Sequence, residues 1–139
     1  MLYRLVYLST NRIQAAPEAF RAEVEQILRA SRRNNAMVGV TGALMFSSGH
    51  FGQVLEGPRA AVEATFERIQ QDTRHGDVSL LEFKPTGARG FDDWAMAYVG
   101  QGDTISRNWT ADIDFAKITA EALLTRLHSL VAREVSPAG

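Results

Sequence analysis

The chain has no cysteine, no surplus of charge and no long apolar run. Without cysteine among its 139 residues it cannot form disulfides, thiolate metal sites or a cysteine nucleophile. Fifteen basic against sixteen acidic residues leave a net charge of -1, which gives no electrostatic reason to expect nucleic acid or an anionic membrane as a partner. No apolar stretch could span a bilayer, and the alternating first residues do not read as a signal peptide. We expect one cytoplasmic domain.

The motifs of common catalytic sites are also missing. There is no HExxH, Walker or G-x-S-x-G sequence. His50 and His128 have no companions at metal-ligand spacing, and Glu56 and Glu82 have no obvious partner carboxylate. We therefore expect neither a metal site nor a hydrolase.

Hydrophobic periodicity predicts a mixed sequence of strands and helices. A first helix should begin at Pro17 and end near Asn34-Asn35, and a second should run from Gly57-Pro58 to about residue 76. The predicted strands are residues 2–9, 38–46, a third strand carrying Gln53, 78–84 and 94–99. The order βαββαβ with an additional strand predicts an α+β, ferredoxin-like sandwich.

The predicted sheet needs a cover on each face. Two helices would cover one face, and the other would carry small or apolar residues such as Ala43, Met45 and Val54. An amphipathic C-terminal stripe, which includes Leu123 and Leu127, is the natural cover for that second face. We expect residues 1–100 to form the main domain, with residues 101–139 as a helical extension packed on it.

Polar residues interrupt the face that should meet the two helices. Gln53 alternates with Phe51 and Leu55 and so should point into the core, as should Tyr7 on the first strand. A buried amide must find hydrogen-bond partners or costs about 1 to 3 kcal/mol. These residues together predict a polar site inside an apolar shell. Tyr7 taken alone, however, also fits an ordinary aromatic core residue whose hydroxyl group reaches the backbone.

Both helices carry polar residues along the same faces. On the first helix the apolar stripe that includes Ile27 becomes polar at Ser31, Asn34 and Asn35. A hydrogen-bonding guest would explain this change, and so would C-terminal capping by the two asparagines. On the predicted second helix, Arg68, Asp72 and His75 follow one another at spacings of four and three, beside Ile69. They could line the mouth of a cleft, or they could form a solvent-exposed row of ion pairs.

These residues fall within motifs that resemble the BLUF domain (blue light sensing using flavin). The resemblance covers about residues 2 to 100. Its motifs are Tyr7-Leu8-Ser9, Arg32-Arg33-Asn34-Asn35, Gly39-Val40-Thr41-Gly42-Ala43-Leu44, Phe51-Gly52-Gln53-Val54-Leu55-Glu56-Gly57, Asp72-Thr73-Arg74-His75 and Trp94-Ala95-Met96.

The resemblance implies a flavin, FAD in cells, bound non-covalently between the two helices and the sheet. It implies that Asn35, with Asn34, hydrogen-bonds the polar edge of the ring and that Gln53 links this edge to Tyr7. Residues expected near the ring, ribityl chain or phosphates are Ile27, Ser31, Phe51, Arg68, Ile69, Asp72, Arg74 and His75.

The resemblance also implies a photochemical role. Light would drive reversible transfer of an electron and a proton from Tyr7, leaving Gln53 rotated or tautomerised and the flavin absorption shifted to the red. Trp94 and Met96 would relay the change to the C-terminal region. Because no effector fits in residues 101–139, we expect a short photoreceptor that catalyses no net reaction and acts through a protein partner or a change of homo-oligomer.

Two other functions remain open from the sequence. One is a flavin-dependent oxidoreductase on the same fold, which would need an open substrate pocket over the ring. The other is an interaction domain that keeps the scaffold without responding to light, since fold alone does not fix function.

Overall fold

The computed structural model describes residues 1–11, 17–47, 50–72, 75–91, 97–100 and 117–134. Its elements in chain order are β1 (Leu2–Asn11), α1 (Pro17–Val38), β2 (Thr41–Ser47), β3 (His50–Pro58), α2 (Arg59–Gln70), β4 (His75–Thr86), β5 (Ala97–Gly100) and α3 (Ala120–Glu134).

The strands form one five-stranded sheet in the order β4-β1-β3-β2-β5. Each neighbouring pair among the first four strands is antiparallel, and β5 adds at the edge, parallel to β2. This confirms the predicted α+β, ferredoxin-like arrangement with one extra strand.

The two faces of the sheet carry separate cores because successive side chains of a strand point to opposite sides. On β1, Leu5 and Tyr7 belong to the core beneath α1 and α2, while Val6 and Leu8 belong to the core on the other face. The sequence alternation predicted this division.

Helix α3 covers the second face, as predicted. Leu123 and Leu127 are fully buried there in one cluster with Val6, Met45 and Val54. Helix α3 packs closely against the sheet at Gly52, next to Gln53. A Cβ atom added to Gly52 would lie 3.3 Å from side-chain atoms of Leu8, Met45 and Leu123. The predicted stripe also included Leu130 and Val131, whose side chains lie outside the described part of the helix.

The predicted end of the first helix was wrong by one turn. Helix α1 continues past Asn35 to Val38, and Gly39, at φ +74°, ends it. Glycine adopts this left-handed conformation at little cost, which makes it the usual residue just beyond a helix C-terminus. The second strand therefore begins at Thr41 instead of residue 38.

The second helix ends earlier than predicted, and β4 starts earlier. The amides of Gln71 and Asp72 donate to the carbonyls of Arg68 and Ile69, tightening the last turn of α2. Strand β4 then starts at His75, because β1 extends to Asn11 and pairs with it there. Residues 94–96 of the predicted fifth strand lie outside the described ranges.

No helix in the part of the chain that the structure describes combines the length and apolar composition needed to cross a membrane.

Candidate functional site

A cavity of about 210 Å³ lies between α1, α2 and the face of the sheet that these helices cover. Both helices and four strands contribute to its wall. Its lining residues are Tyr7, Ile27, Ala30, Ser31, Asn34, Asn35, Leu44, Phe51, Gln53, Thr65, Arg68, Ile69, Asp72 and His75. Apolar walls with a few converging polar groups are typical of a small-molecule site.

Tyr7 and Gln53 form the polar centre of the cavity floor. They are direct partners in the antiparallel pairing of β1 with β3, so their side chains stand together on one face. Both are almost fully buried, and the Tyr7 hydroxyl donates a hydrogen bond to Oε1 of Gln53. With its carbonyl end committed to Tyr7, Gln53 has its two N–H donors at the other end of the amide.

Burial and charge keep the Tyr7 phenol protonated. Loss of solvent raises the pKa of Tyr7 far above its usual value of 10, and the negative charge of Asp72 raises it further. The ring is also enclosed by aromatic neighbours, with the Phe66 ring centroid at 5.3 Å and the His75 centroid at 6.2 Å. A proton can therefore leave this hydroxyl readily only toward a hydrogen-bonded acceptor, which is Gln53.

Asn35 is buried at the cavity with 2% of its surface exposed. Its backbone carbonyl accepts a hydrogen bond of 2.9 Å from the Val40 amide across Gly39. This is the longer bond of a Schellman motif, in which backbone groups close the helix end. The alternative that the two asparagines are C-terminal capping residues was wrong, because both lie inside α1 and Gly39 is the residue with positive φ. Asn35 instead lines the cavity.

The remaining wall residues come from one face of each helix. On α1, Ile27, Ser31 and Asn34 line the cavity and are half-buried. On α2, Ile69 is half-buried and Arg68 is exposed, while Asp72, predicted on this helix, is half-buried two residues beyond its end. Spacings of three and four place Ile27, Ser31 and Asn34 on one side of α1, as the sequence pattern predicted. The predicted helical row on α2 was wrong beyond Arg68, because the helix ends at Gln70 and His75 lies on β4.

His75 joins the end of α2 to β1. Its Nε2 lies 2.7 Å from the Ile69 carbonyl, and its Nδ1 lies 2.7 Å from the Ser9 hydroxyl. A carbonyl can only accept, so Nε2 carries a hydrogen and, in the neutral ring, the Ser9 hydroxyl donates to Nδ1. The ring meets Phe51 edge-on, with centroids 6.3 Å apart. Both nitrogens are thus used to fix the cavity wall.

This set of groups fits a flat ring with one polar edge. Ile27 and Ile69 supply aliphatic contacts from opposite helices, and Leu44 and Phe51 supply apolar surface from the sheet. Amide groups offer both donors and acceptors, as the carbonyl and imide edge of a flavin requires. Three such residues line the cavity, namely Asn34, Asn35 and Gln53.

The structure brings together most of the residues that the sequence singled out. Arg74, Trp94 and Met96 lie outside the described residues. Thr65, 4% exposed, Leu44 and Ala30 were missed. Thr65 could have been identified from the sequence, since it is a polar residue within the apolar stripe of Val62, Phe66 and Ile69. In the sequence Leu44 looks like an ordinary core residue, and only the strand register, which pairs it with Gln53, places it beside the site.

No group of three or more His, Cys, Asp or Glu side chains within the described ranges is arranged to hold a metal ion.

Comparison with protein families gives one match across most of the chain. The model of the BLUF family, described as sensors of blue-light using FAD, matches residues 2–97. The photoactivated adenylate cyclase subunit beta of Euglena gracilis is 36% identical over 96 residues, 68% of this chain and 11% of that protein. The blue light- and temperature-regulated antirepressor BluF of Escherichia coli (strain K12) is 34% identical over 91 residues, 66% of this chain and 22% of that protein. The chain thus spans a small part of these relatives.

Solved structures with the same fold match nearly the whole chain. BlrB, a BLUF protein in its dark state, superposes with a TM-score of 0.79 at 34% identity, covering 95% of this chain and 96% of that one. The photo-activated state of BlsA also gives a TM-score of 0.79, at 27% identity, covering 94% of this chain and 95% of that one.

Proposed function

The chain belongs to the BLUF family of blue-light sensors, and from this premise we propose that it is a photoreceptor in which Tyr7 and Gln53 perform the light reaction on a non-covalently bound FAD. The observation that carries the proposal is the hydrogen bond from the Tyr7 hydroxyl to Gln53 Oε1 on the floor of the cavity. It joins an electron donor to a proton acceptor inside a site suited to a flat ring.

Different cavity residues would contact different parts of the flavin. Asn35 and Asn34 hydrogen-bond the polar edge of the ring, and Ile27 and Ile69 pack against it from the two helices. Ser31, Phe51, Arg68, Asp72 and His75 complete the site, and Arg74 belongs to its phosphate side. The donor set and the apolar walls support this assignment.

The photochemistry requires an electron donor whose proton can move along an existing hydrogen bond. A flavin bound here supplies a strong one-electron oxidant after it has absorbed blue light. Tyr7 gives up an electron, and its hydroxyl proton leaves along the hydrogen bond to Gln53 Oε1. This proton is not released to solvent, because the Tyr7 hydroxyl is buried and burial raises its pKa.

Gln53 converts the transient transfer into a lasting change. It takes the proton at Oε1 and offers hydrogens from Nε2 toward the cavity. When the electron and proton return to Tyr7, the amide is left rotated or tautomerised. The two ends of an amide differ in hydrogen-bonding character, so reversing them re-pairs the site at modest cost. The expected signature is a small red shift of the flavin absorption without bleaching.

FAD is the proposed cofactor in cells, because the matching family is described as using FAD. FMN is the nearest substitute, and the BlrP1 protein of Klebsiella pneumoniae, 26% identical to this chain, is described with FMN. Because both cofactors carry the same ring, residues at the ring edge should serve either equally well.

Output is proposed to pass to the C-terminal region and then to a protein partner or a change of homo-oligomer, with no net reaction catalysed. Residues 1–100 would be the sensor and residues 101–139 its extension. Trp94 and Met96 would relay the change along the fifth strand. Helix α3, packed on the sheet behind Gln53, supports an output from this face.

An absorption spectrum of the purified protein, taken in the dark and after blue light, tests the proposal. A yellow protein with a reversible red shift supports it. Bleaching of the flavin by an added substrate would instead favour an oxidoreductase, and a colourless protein that takes up no flavin would favour an interaction domain. Chromatography of the cofactor released by denaturation separates FAD from FMN.

A further inference from the structure

Glu56 is a buried carboxylate that the flavin site does not use. It lies on β3 three residues after Gln53, with 1% of its surface exposed, and its carboxylate reaches the loop that follows β4. The Gly90 amide donates to its two oxygens at 2.8 and 3.0 Å, and the Phe91 amide donates to Oε1 at 3.0 Å. Hydrogen bonds to a charged acceptor are stronger than neutral ones, so this carboxylate fixes the loop to β3.

Arg89 fastens the same loop from the other side. Its guanidinium donates to the backbone carbonyls of Glu56, at 3.0 Å, and Gly39, at 2.7 Å, and to the Thr41 hydroxyl at 2.9 Å. The loop is thus held by its own backbone and by a side chain. Its position is set by β3 and by the start of β2.

The fixed loop in turn holds helix α3. The Phe91 ring is fully buried and stacks on the His128 ring, with centroids 4.1 Å apart and planes 10° from parallel. Gly90 makes room for this stack: a Cβ atom there would lie 2.7 Å from Nε2 and 2.8 Å from Cε1 of His128. The contact therefore depends on a loop residue with no side chain.

We propose that Glu56, Gly90, Phe91 and His128 form a latch that joins β3 to helix α3 and opens when Gln53 rearranges. The light-driven part of this proposal rests on the proposed function. Glu56 and Gln53 lie about 10 Å apart along one strand, at 3.3 Å per residue. A shift of β3 that accompanies the change at Gln53 moves the carboxylate, the loop amides and the Phe91 ring together. The latch is a route from the flavin site that does not require the fifth strand.

Gly90→Ala tests the latch without altering either ring. The added methyl group pushes the His128 ring off Phe91, while the backbone of Gly90 has no positive φ that would strain an alanine. Gly87→Ala is the matched control, because a Cβ atom at Gly87 would meet nothing within 4 Å. His128→Ala removes the stack from the exposed helix side and should leave folding intact.

Hydrogen exchange of the full, flavin-loaded chain would be measured by mass spectrometry in the dark and under blue light. In the wild type, light should speed exchange of the amides in α3. Gly90→Ala and His128→Ala should exchange roughly 2- to 12-fold faster there in the dark, the range expected from the loss of one aromatic pair. Light should add little further in these variants, and the red shift should remain. Gly87→Ala should match the wild type.

Wild-type exchange in Gly90→Ala, in the dark and in light, would overturn the latch. A wild-type protein that shows the red shift without faster exchange in α3 would overturn its opening by light. A wild-type protein without any red shift would overturn the proposed function instead. Even then, the dark comparison of Gly90→Ala with Gly87→Ala would decide whether the contact holds the helix.

Discussion

Tyr7 and Gln53, 46 residues apart in the chain, are cross-strand neighbours whose side chains share one buried hydrogen bond. The pairing of β1 with β3 places them directly opposite each other. The phenol donates and the amide carbonyl accepts, which sets the orientation of the Gln53 amide. Four predictions follow from this pair and from the cavity around it.

Replacing Tyr7 by phenylalanine should abolish the reversible red shift while the flavin stays bound. The ring keeps its packing against Phe66, but the transferable proton and the readily oxidised phenol are lost. The measurement is a light-minus-dark absorption spectrum. Tyr3→Phe is the matched control, since Tyr3 lies on the same face of β1 against Phe83 and away from the cavity lining. A red shift of wild-type size and lifetime in Tyr7→Phe would contradict the assigned donor.

Replacing Gln53 by leucine should also remove the red shift and leave the flavin bound. The substitution deletes the amide that rearranges but changes the side-chain volume little. Absorption spectra before and after blue light measure both effects in one sample. The exposed Gln70 offers the same substitution outside the cavity lining, and Gln70→Leu should behave like the wild type. A normal shift in Gln53→Leu would mean that the amide does not carry the signal.

Replacing Asn35 by alanine should weaken flavin binding while leaving α1 intact. Two amide hydrogen bonds at about 0.5 to 1.5 kcal/mol each correspond to a rise in Kd of about 5- to 150-fold. The helix end should survive because its closing bond uses the Asn35 backbone carbonyl. Flavin titration of the apoprotein gives the Kd, and circular dichroism reports the helix. Asn34→Ala, at a half-buried position, should have the smaller effect; the reverse order would contradict the assignment.

The raised pKa of Tyr7 predicts a loss of stability at high pH. The unfolded chain releases this proton near the usual pKa of 10, while burial and Asp72 keep it bound in the folded protein. Above pH 10 the unfolded state binds fewer protons, so the free energy of unfolding falls as the pH rises. The effect is absent below pH 10, where both states are protonated.

Denaturant unfolding of the flavin-free protein at pH 9 and pH 11 measures this contribution. The wild type should lose about 1.4 kcal/mol more than Tyr7→Phe between the two pH values, because only the wild type has this group to titrate. Subtracting the variant removes the contribution of the other two tyrosines. Equal losses in the two proteins would show that the Tyr7 hydroxyl ionises as easily in the folded state as in the unfolded one.

Local patterns were sufficient to place several of the cavity-lining residues on the correct face of their element. Strand alternation placed Tyr7 and Gln53 on the inward face, and helical spacing placed Asn35 and Arg68 at the cavity. Both periodicities follow from backbone geometry within a single element, so a sequence shows them directly. The boundaries were less accurate, because Asn34-Asn35 resembles a helix end while Gly39, at a positive φ, supplies the actual one.

The sequence by itself determined the element types, the two faces of the sheet and the family resemblance. Only the tertiary structure decided that Tyr7 pairs with Gln53 in register, that Thr65 and Leu44 complete the cavity, and that the carboxylate of Glu56 binds the loop before β5. His128, first considered only as an isolated histidine, proved to stack on Phe91. These relationships join residues far apart in the chain. Strand register and loop position depend on the packing of the whole domain, which no local periodicity encodes.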